Sequence, residues 1–297
     1  MRPPLWHSLS DKQIFFTTLM SFSFDKGPAM SVAPHLPDIC HFLGHGGGKD
    51  TFPLYCDKDA KKPNITHGLL DILTKQYKDN VTAEDLFAYV YALLSGQSYT
   101  QVFRSELETP GARIPITKDA LLFNQVSEFG KELIWLHTYA QRFKDKRQGR
   151  NNKIPKGRAQ TLDAITEYPD KFSYKPAGKE LHIGNGRIGS VDSKVWNYEI
   201  SGLKVLQSWL GYRMQKPKGK KSSDLDSIRP QKWSNEMNKN LHELIWILEA
   251  TLNMEPDLEN LLQNIIKSDC FNIKELPKPS ELQKKPPKHN TEATLIK

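Results

Sequence analysis

Cysteine is scarce: Cys40, Cys56 and Cys270 are the only three in 297 residues. They stand far apart, fit no CxxC spacing and leave an odd thiol, so no disulfide framework is expected and a reducing, cytoplasmic setting fits. Long apolar runs are missing too. About 18 uninterrupted apolar residues are needed to span a bilayer, and the residues after Arg2 form no apolar signal core, so neither membrane insertion nor export is expected. Acid is the minority charge, with 34 Asp plus Glu against 42 Lys plus Arg, a formal net charge of +8. That balance points to a polyanionic partner without identifying it. The apolar share of 38% is enough for a real core, and the length allows one large or two ordinary domains.

Catalytic patterns are equally hard to find. The glycine run from Gly44 to Gly48, followed by Lys49, suggests a phosphate loop, but a Walker A sequence needs Gly at Leu43 and Ser or Thr at Asp50. The dinucleotide pattern fails as well, because Lys49 stands where its third Gly belongs. A flexible surface loop is the plainer reading, with Lys49 or the loop amides near a DNA phosphate as the alternative. Cys40, His41, His45 and Cys56 have zinc-ligand chemistry but lack two close pairs, so no metal is expected. His137 lies within a helical apolar pattern, where a packed, hydrogen-bonded histidine is the expected role. No GxSxG, HExxH or paired-acid nuclease spacing occurs, so no catalytic residue is assigned.

The pattern of apolar residues divides the chain. Residues 12–33 read as two strands joined by a turn at Asp25, Lys26 and Gly27. Thr82 and Asp85 form a capping box ahead of a helix over residues 83–94, and a shorter helix is expected around 99–106. A strong helix then opens at Thr117 and runs to Phe143. Residues 172–200 alternate across two turns as a small antiparallel meander, with a half-aromatic strand at 195–200 and a helix from Gly202. Helices over 234–253 and 257–267 are expected to pack as a hairpin, and the Lys- and Pro-rich residues 277–297 as a disordered tail. The expected class is therefore α+β: a strand-containing N-terminal part, helices, a small antiparallel sheet and a C-terminal helical hairpin. The expected units are 1–158, a mixed part ending in a basic loop, then 159–268, then a tail at 269–297.

Positive charge is concentrated. Between Arg142 and Arg158 lie eight basic residues against the single acid Asp145, and Lys216, Lys218, Lys220 and Lys221 follow in a second acid-free run. Each cation set on a phosphate releases counterions and gives sequence-blind affinity. Arginine pairs with guanine edges and amides with adenine edges, so Arg147, Gln148, Arg150, Asn151 and Asn152 have the chemistry to read a major groove. Lys153, Lys156 and Arg158, with the four lysines of the second run, suit the backbone. A solvated charge run is the bland reading of the same residues. Trp196, Tyr198, Trp209 and Trp246 each sit within an apolar pattern and read as core.

Ordered blocks carry a family likeness: HFLGHGGGKDTFPLY, AEDLFAYVYALLSGQSY, RIPIT with the helix ending WLHTYAQRF, and VWNYEISGLKVLQSWLGYR followed by SSDLDSIRP. In this order they resemble the C-terminal specificity domain of Type ISP restriction-modification enzymes of the LlaBIII-like kind. The resemblance implies a domain that binds duplex DNA beside an adenine methyltransferase and sets which sequence is modified. The methyltransferases of that family need an Asn/Asp-Pro-Pro-Tyr/Phe element, whereas this chain offers Arg2, Pro3, Pro4 and Leu5. S-adenosylmethionine is accordingly expected only in a separate methyltransferase part, with no cofactor in this chain. The expected function is target recognition without catalysis. The alternative is a non-catalytic assembly module that docks on a separate methyltransferase or other acidic partner, and unfamiliar enzymatic chemistry is a third reading. A methyltransferase or helicase chain or domain is an expected partner beside the duplex.

Overall fold

A computed structural model describes residues 3–21, 23–24, 27–37, 50–215 and 232–284. It begins with α1 (Pro3–Trp6) and three short strands, β1 (Phe15–Thr18), β2 (Met30–Ala33) and β3 (Asp50–Pro53). β1 is central and pairs antiparallel with both neighbours. The two strands expected within residues 12–33 are present, whereas β3 was hidden in the glycine-rich stretch.

Helices follow: α2 (Leu69–Tyr77), α3 (Ala83–Ser95), α4 (Gln97–Val102) and α5 (Ala120–His137). α3 starts where the sequence says it should. Thr82 Oγ1 accepts from the Asp85 amide at 3.1 Å, and the Asp85 carboxylate accepts from the Thr82 amide at 2.8 Å. α5 starts three residues later than expected, because the Asp119 carboxylate is the cap, accepting from the Leu121 and Leu122 amides. It also ends before Phe143. Ala140 N–H bonds the Trp135 carbonyl and Tyr139 N–H the Leu136 carbonyl, a Schellman ending with Tyr139 at φ 53° in the left-handed region.

The second sheet has the order β4-β7-β6-β5. Its strands are β4 (Gln160–Asp163), β5 (Phe172–Lys175), β6 (Glu180–Ile183) and β7 (Gly186–Gly189), all antiparallel. The expected meander exists, but its fourth strand is β4 rather than residues 195–200. Asp192 instead caps α6 (Ser193–Trp196) by accepting from the Lys194 amide at 3.0 Å, and only the two-residue β8 (Glu199–Ile200) and β9 (Leu203–Lys204) remain extended. α7 (Val205–Gly211) follows.

α8 (Asn235–Lys267) corrects the expected hairpin: it is one continuous helix of 33 residues with Pro256 inside it. An interior proline costs about 3 kcal/mol by removing a hydrogen bond to the carbonyl four residues back. The helix continues because its two ends bury apolar side chains in different cores. Leu241, Leu244, Ile245 and Leu248 pack with Leu181, Ile183, Ile188, Leu206 and Leu210. Leu258, Leu262 and Ile265 pack with Phe16, Tyr89, Tyr91, Phe123 and Leu133. Each such side chain contributes about 1.5–3 kcal/mol on burial, so three of them offset the proline. The α+β class stands, with α8 as the beam common to both cores.

Candidate nucleic-acid interface

The basic segment leaves α5 through strained backbone, with positive φ at Tyr139, Ala140 and Phe143. Arg142 is the first of its cations and is fully used in holding this path. Its Nε donates to the Gln13 carbonyl at 2.8 Å and Nη2 to the Pro34 carbonyl at 3.0 Å, which ties the segment to the first sheet.

A closed turn follows. Asp145 and Arg150 exchange both backbone hydrogen bonds at 2.9 Å, and the Asp145 carboxylate accepts from the Arg147 amide at 2.9 Å. Gly149 supplies the left-handed residue, φ 76°, that lets the chain return. Arg150 is turned inward, only 7% exposed. Its Nε donates to the Phe143 carbonyl at 3.0 Å and Nη1 to Glu128 of α5 at 3.3 Å, with Asp145 3.7 Å away. Edge reading was expected of Arg150, but its guanidinium fastens the turn to the fold. What the turn carries outward is Lys146 and Arg147, both exposed, while Gln148, also exposed, lines the groove beneath the turn.

The strand beyond the turn is pinned twice more. Trp135 Nε1 donates to the Asn151 carbonyl at 2.7 Å, and the Asn151 side-chain amide donates to Gly149 at 3.1 Å. Further on, a Cβ on Gly157 would lie 2.0 Å from Glu249 Oε2 and 2.6 Å from the Trp246 ring of α8. Glu249, 4% exposed, accepts from the Arg158 amide at 2.8 Å, and Trp246 Nε1 donates to the Ala159 carbonyl at 3.0 Å. The Arg158 side chain stays 69% exposed, with its Nε 4.0 Å from Glu249. Between these pins Asn152, Lys153 and Lys156 are exposed.

Electrostatics give the loop an inside and an outside. Among the described residues, no carboxylate lies within ion-pair distance of Lys146, Arg147, Lys153 or Lys156. Beneath the turn, a groove of about 450 Å³ between α5 and α8 is lined by Glu128, Glu132 and Asp257 together with Gln148 and Arg150. A polyanion is repelled from that groove and attracted to the outer face. The structure therefore brings Arg147, Gln148, Asn152, Lys153, Lys156 and Arg158 onto one anchored loop. Lys216, Lys218, Lys220 and Lys221 lie outside the described residues, as do Cys40, His41, His45 and Lys49. The anchoring roles of Arg142 and Arg150 escape sequence reading, since their acceptors Gln13, Pro34, Phe143 and Glu128 become neighbours only on folding.

Two titratable groups elsewhere are strongly perturbed. His137 is half-buried within packed surroundings, and desolvation lowers its pKa to about 4. Thr251 Oγ1 gives its one proton to the Ile247 carbonyl, so His137 Nε2–H donates to Thr251 at 2.8 Å and Nδ1 accepts from the Tyr91 hydroxyl at 2.7 Å. This is the packed, hydrogen-bonded histidine expected from sequence. Glu255 faces a cleft of about 580 Å³ between α4, residues 194–199 and α8. Burial raises its pKa to about 7 against the hydrogen bond from the Gln97 amide.

A model of the Type ISP C-terminal specificity domain matches residues 1–245. No curated protein matches the chain. The solved structures that share its fold include these three. One is the ATP-dependent Type ISP restriction-modification enzyme LlaBIII bound to DNA, with TM-score 0.59, 17% identity, and coverage of 87% of this chain and 16% of that one. A DrdV–DNA complex gives 0.58, 15%, 87% and 25%. A nuclease-deletion mutant of the Type ISP enzyme LlaGI in complex with a DNA substrate mimic gives 0.54, 16%, 88% and 22%. The chain thus spans a quarter or less of the length of each of these neighbours.

Proposed function

The chain belongs to the Type ISP C-terminal specificity domain family, and from that premise we propose that it reads a target sequence in double-stranded DNA. The observation that carries this reading is the anchored turn at residues 145–150, which holds the Lys146 and Arg147 cations outward with, among the described residues, no carboxylate in ion-pair reach of either. Target reading needs both charge and fixed geometry, because phosphate contacts set register while base edges set specificity. In this reading Arg147 pairs with guanine O6 and N7 in the major groove, and Gln148 and Asn152 with adenine. Lys153, Lys156 and Arg158 neutralise phosphates, as do Lys216, Lys218, Lys220 and Lys221. Asn151 and Arg150 act as supports for the turn.

The division of labour follows from the same reading. Adenine methylation, with its S-adenosylmethionine, and DNA translocation belong to methyltransferase and helicase parts that act beside this domain in the cytoplasm, and this chain performs no catalysis alone. Residues 1–158 and 159–268 act as its two units, joined through α8. Among the described residues no helix is long and apolar enough to cross a membrane. Docking on the methyltransferase part has its own support in a groove of about 620 Å³ lined by Leu5, Phe52, Pro53 and Leu282, beside Trp6 at 55% exposure.

Equilibrium binding of the purified chain to a fixed duplex, followed across salt concentration, tests the proposal. Binding that weakens linearly in log salt is expected, steeper by about one for each cation on a phosphate. Absence of duplex binding at low salt overturns it.

A further inference from the structure

α7 ends in a ledge of rings, a few residues in sequence before the second cationic run. Leu206 and Leu210 are fully buried in the second core and fix the helix. Trp209 meets Trp233 edge to face at 6.2 Å, and the Arg213 guanidinium lies 3.7 Å over the centre of the Trp209 ring. Arg213 Nη1 also donates to the Trp209 carbonyl at 3.0 Å. The backbone is held on both sides of Tyr212: its own amide bonds Ser208, the Arg213 amide bonds Leu210 at 2.8 Å, and the Gln215 amide bonds Pro169 at 2.7 Å. Yet the Tyr212 side chain itself stands 79% exposed.

A large ring on rigid backbone with its faces in water has already lost much of its ordering entropy, so contact with another flat apolar surface is favoured. Tyr212 precedes Lys216 by four residues, at most about 14 Å of chain, and Lys216, Lys218, Lys220 and Lys221 then follow without an acid. Cations within a few residues in sequence of an exposed aromatic ring are a combination that can engage a nucleic acid through both phosphate and base.

Resting on the DNA reading above, we propose that Tyr212 is a stacking wedge, its ring packing against an unstacked base step of the bound duplex while Arg213, clamped on Trp209, holds the ledge in place. The wedge is neutral, which separates it experimentally from every phosphate contact. Base stacking on an aromatic side chain is lost on truncation to alanine, and the loss expected here is about tenfold in Kd. No counterion is released by a tyrosine, so the salt slope stays put.

The experiment is a salt titration of duplex affinity for the full chain and for Tyr212→Ala, Tyr212→Phe and Tyr212→Trp. The expected result is about tenfold weaker binding by Tyr212→Ala at every salt concentration with the wild-type slope, and near wild-type binding by the two aromatic variants. Wild-type affinity in Tyr212→Ala overturns the wedge alone, as does weak binding by Tyr212→Phe or a changed slope. A wild-type chain that binds no duplex overturns the DNA reading and the wedge with it.

Discussion

The Arg150 guanidinium lies 3.3 Å from the Glu128 carboxylate, so the most cationic loop of the protein is fastened to α5 by one of its own charges. An arginine inside such a loop is set apart from its neighbours by what it bonds. Arg150 donates to Glu128 and Phe143, while Arg147, three residues earlier, among the described residues gives only its backbone amide, to Asp145.

Arg150→Ala is therefore expected to destabilise the fold by about 1–3 kcal/mol, the range for loss of a hydrogen-bonded buried partner, at the lower end because Glu128 is half exposed. Urea unfolding measures this. Arg150→Lys recovers little, since an ammonium cannot serve both acceptors with the geometry of a guanidinium. Unchanged stability in Arg150→Ala contradicts the anchoring role.

Arg147→Ala, Lys153→Ala and Lys156→Ala behave differently. All three side chains are exposed, so thermal stability stays within about 0.5 kcal/mol of wild type. Lys153→Ala and Lys156→Ala each reduce the slope of log affinity against log salt by about one. Arg147→Ala is expected to relax preference at one base pair as well, a loss of about 1–3 kcal/mol of discrimination.

Gly157→Ala places a methyl group 2.0 Å from the Glu249 carboxylate. Glu249 is buried and bonded to the Arg158 amide, so the clash breaks the pin between loop and α8. A destabilisation of about 2 kcal/mol or more, read by urea unfolding, is expected. An isosteric Glu249→Gln variant keeps the acceptor for Arg158 and costs less.

Stability depends on pH through Glu255 and His137 in opposite directions. Glu255 sits at about 7 in the folded protein against its usual 4.5. Its contribution is complete below pH 4.5 and is lost as pH rises through 7. His137 sits at about 4 against its usual 6.5, so its contribution is complete above pH 6.5 and is lost as pH falls toward 4. Glu255→Gln is expected to gain about 2–3 kcal/mol relative to wild type between pH 5 and pH 8. Denaturation series at both pH values measure the gain, and an equal offset at each contradicts it.

Much of the architecture is legible in the chain because its signals are local. Thr82 and Asp85 announce α3, the turns after β5 and β6 announce the meander, and apolar spacing marks α5 and α8. Where sequence reading fails, a distant partner decides the outcome. Pro256 looks like a break, but burial at both ends of α8 carries the helix through it. Residues 195–200 look like a strand until Asp192 is recognised as a helix cap. The basic loop is visible as composition, whereas which of its cations face outward is set by Glu128, Gln13 and Pro34.

The most direct test of the central claim is selection of bound sites from a randomised duplex pool. The wild-type chain would be compared with a variant carrying Arg147→Ala, Lys153→Ala, Lys156→Ala and Arg158→Ala, with Arg150 left in place to keep the turn. An enriched sequence for the wild type that vanishes in the variant is the predicted result. Binding without enrichment, or the same enriched sequence in both proteins, would contradict the assignment of target reading to this loop.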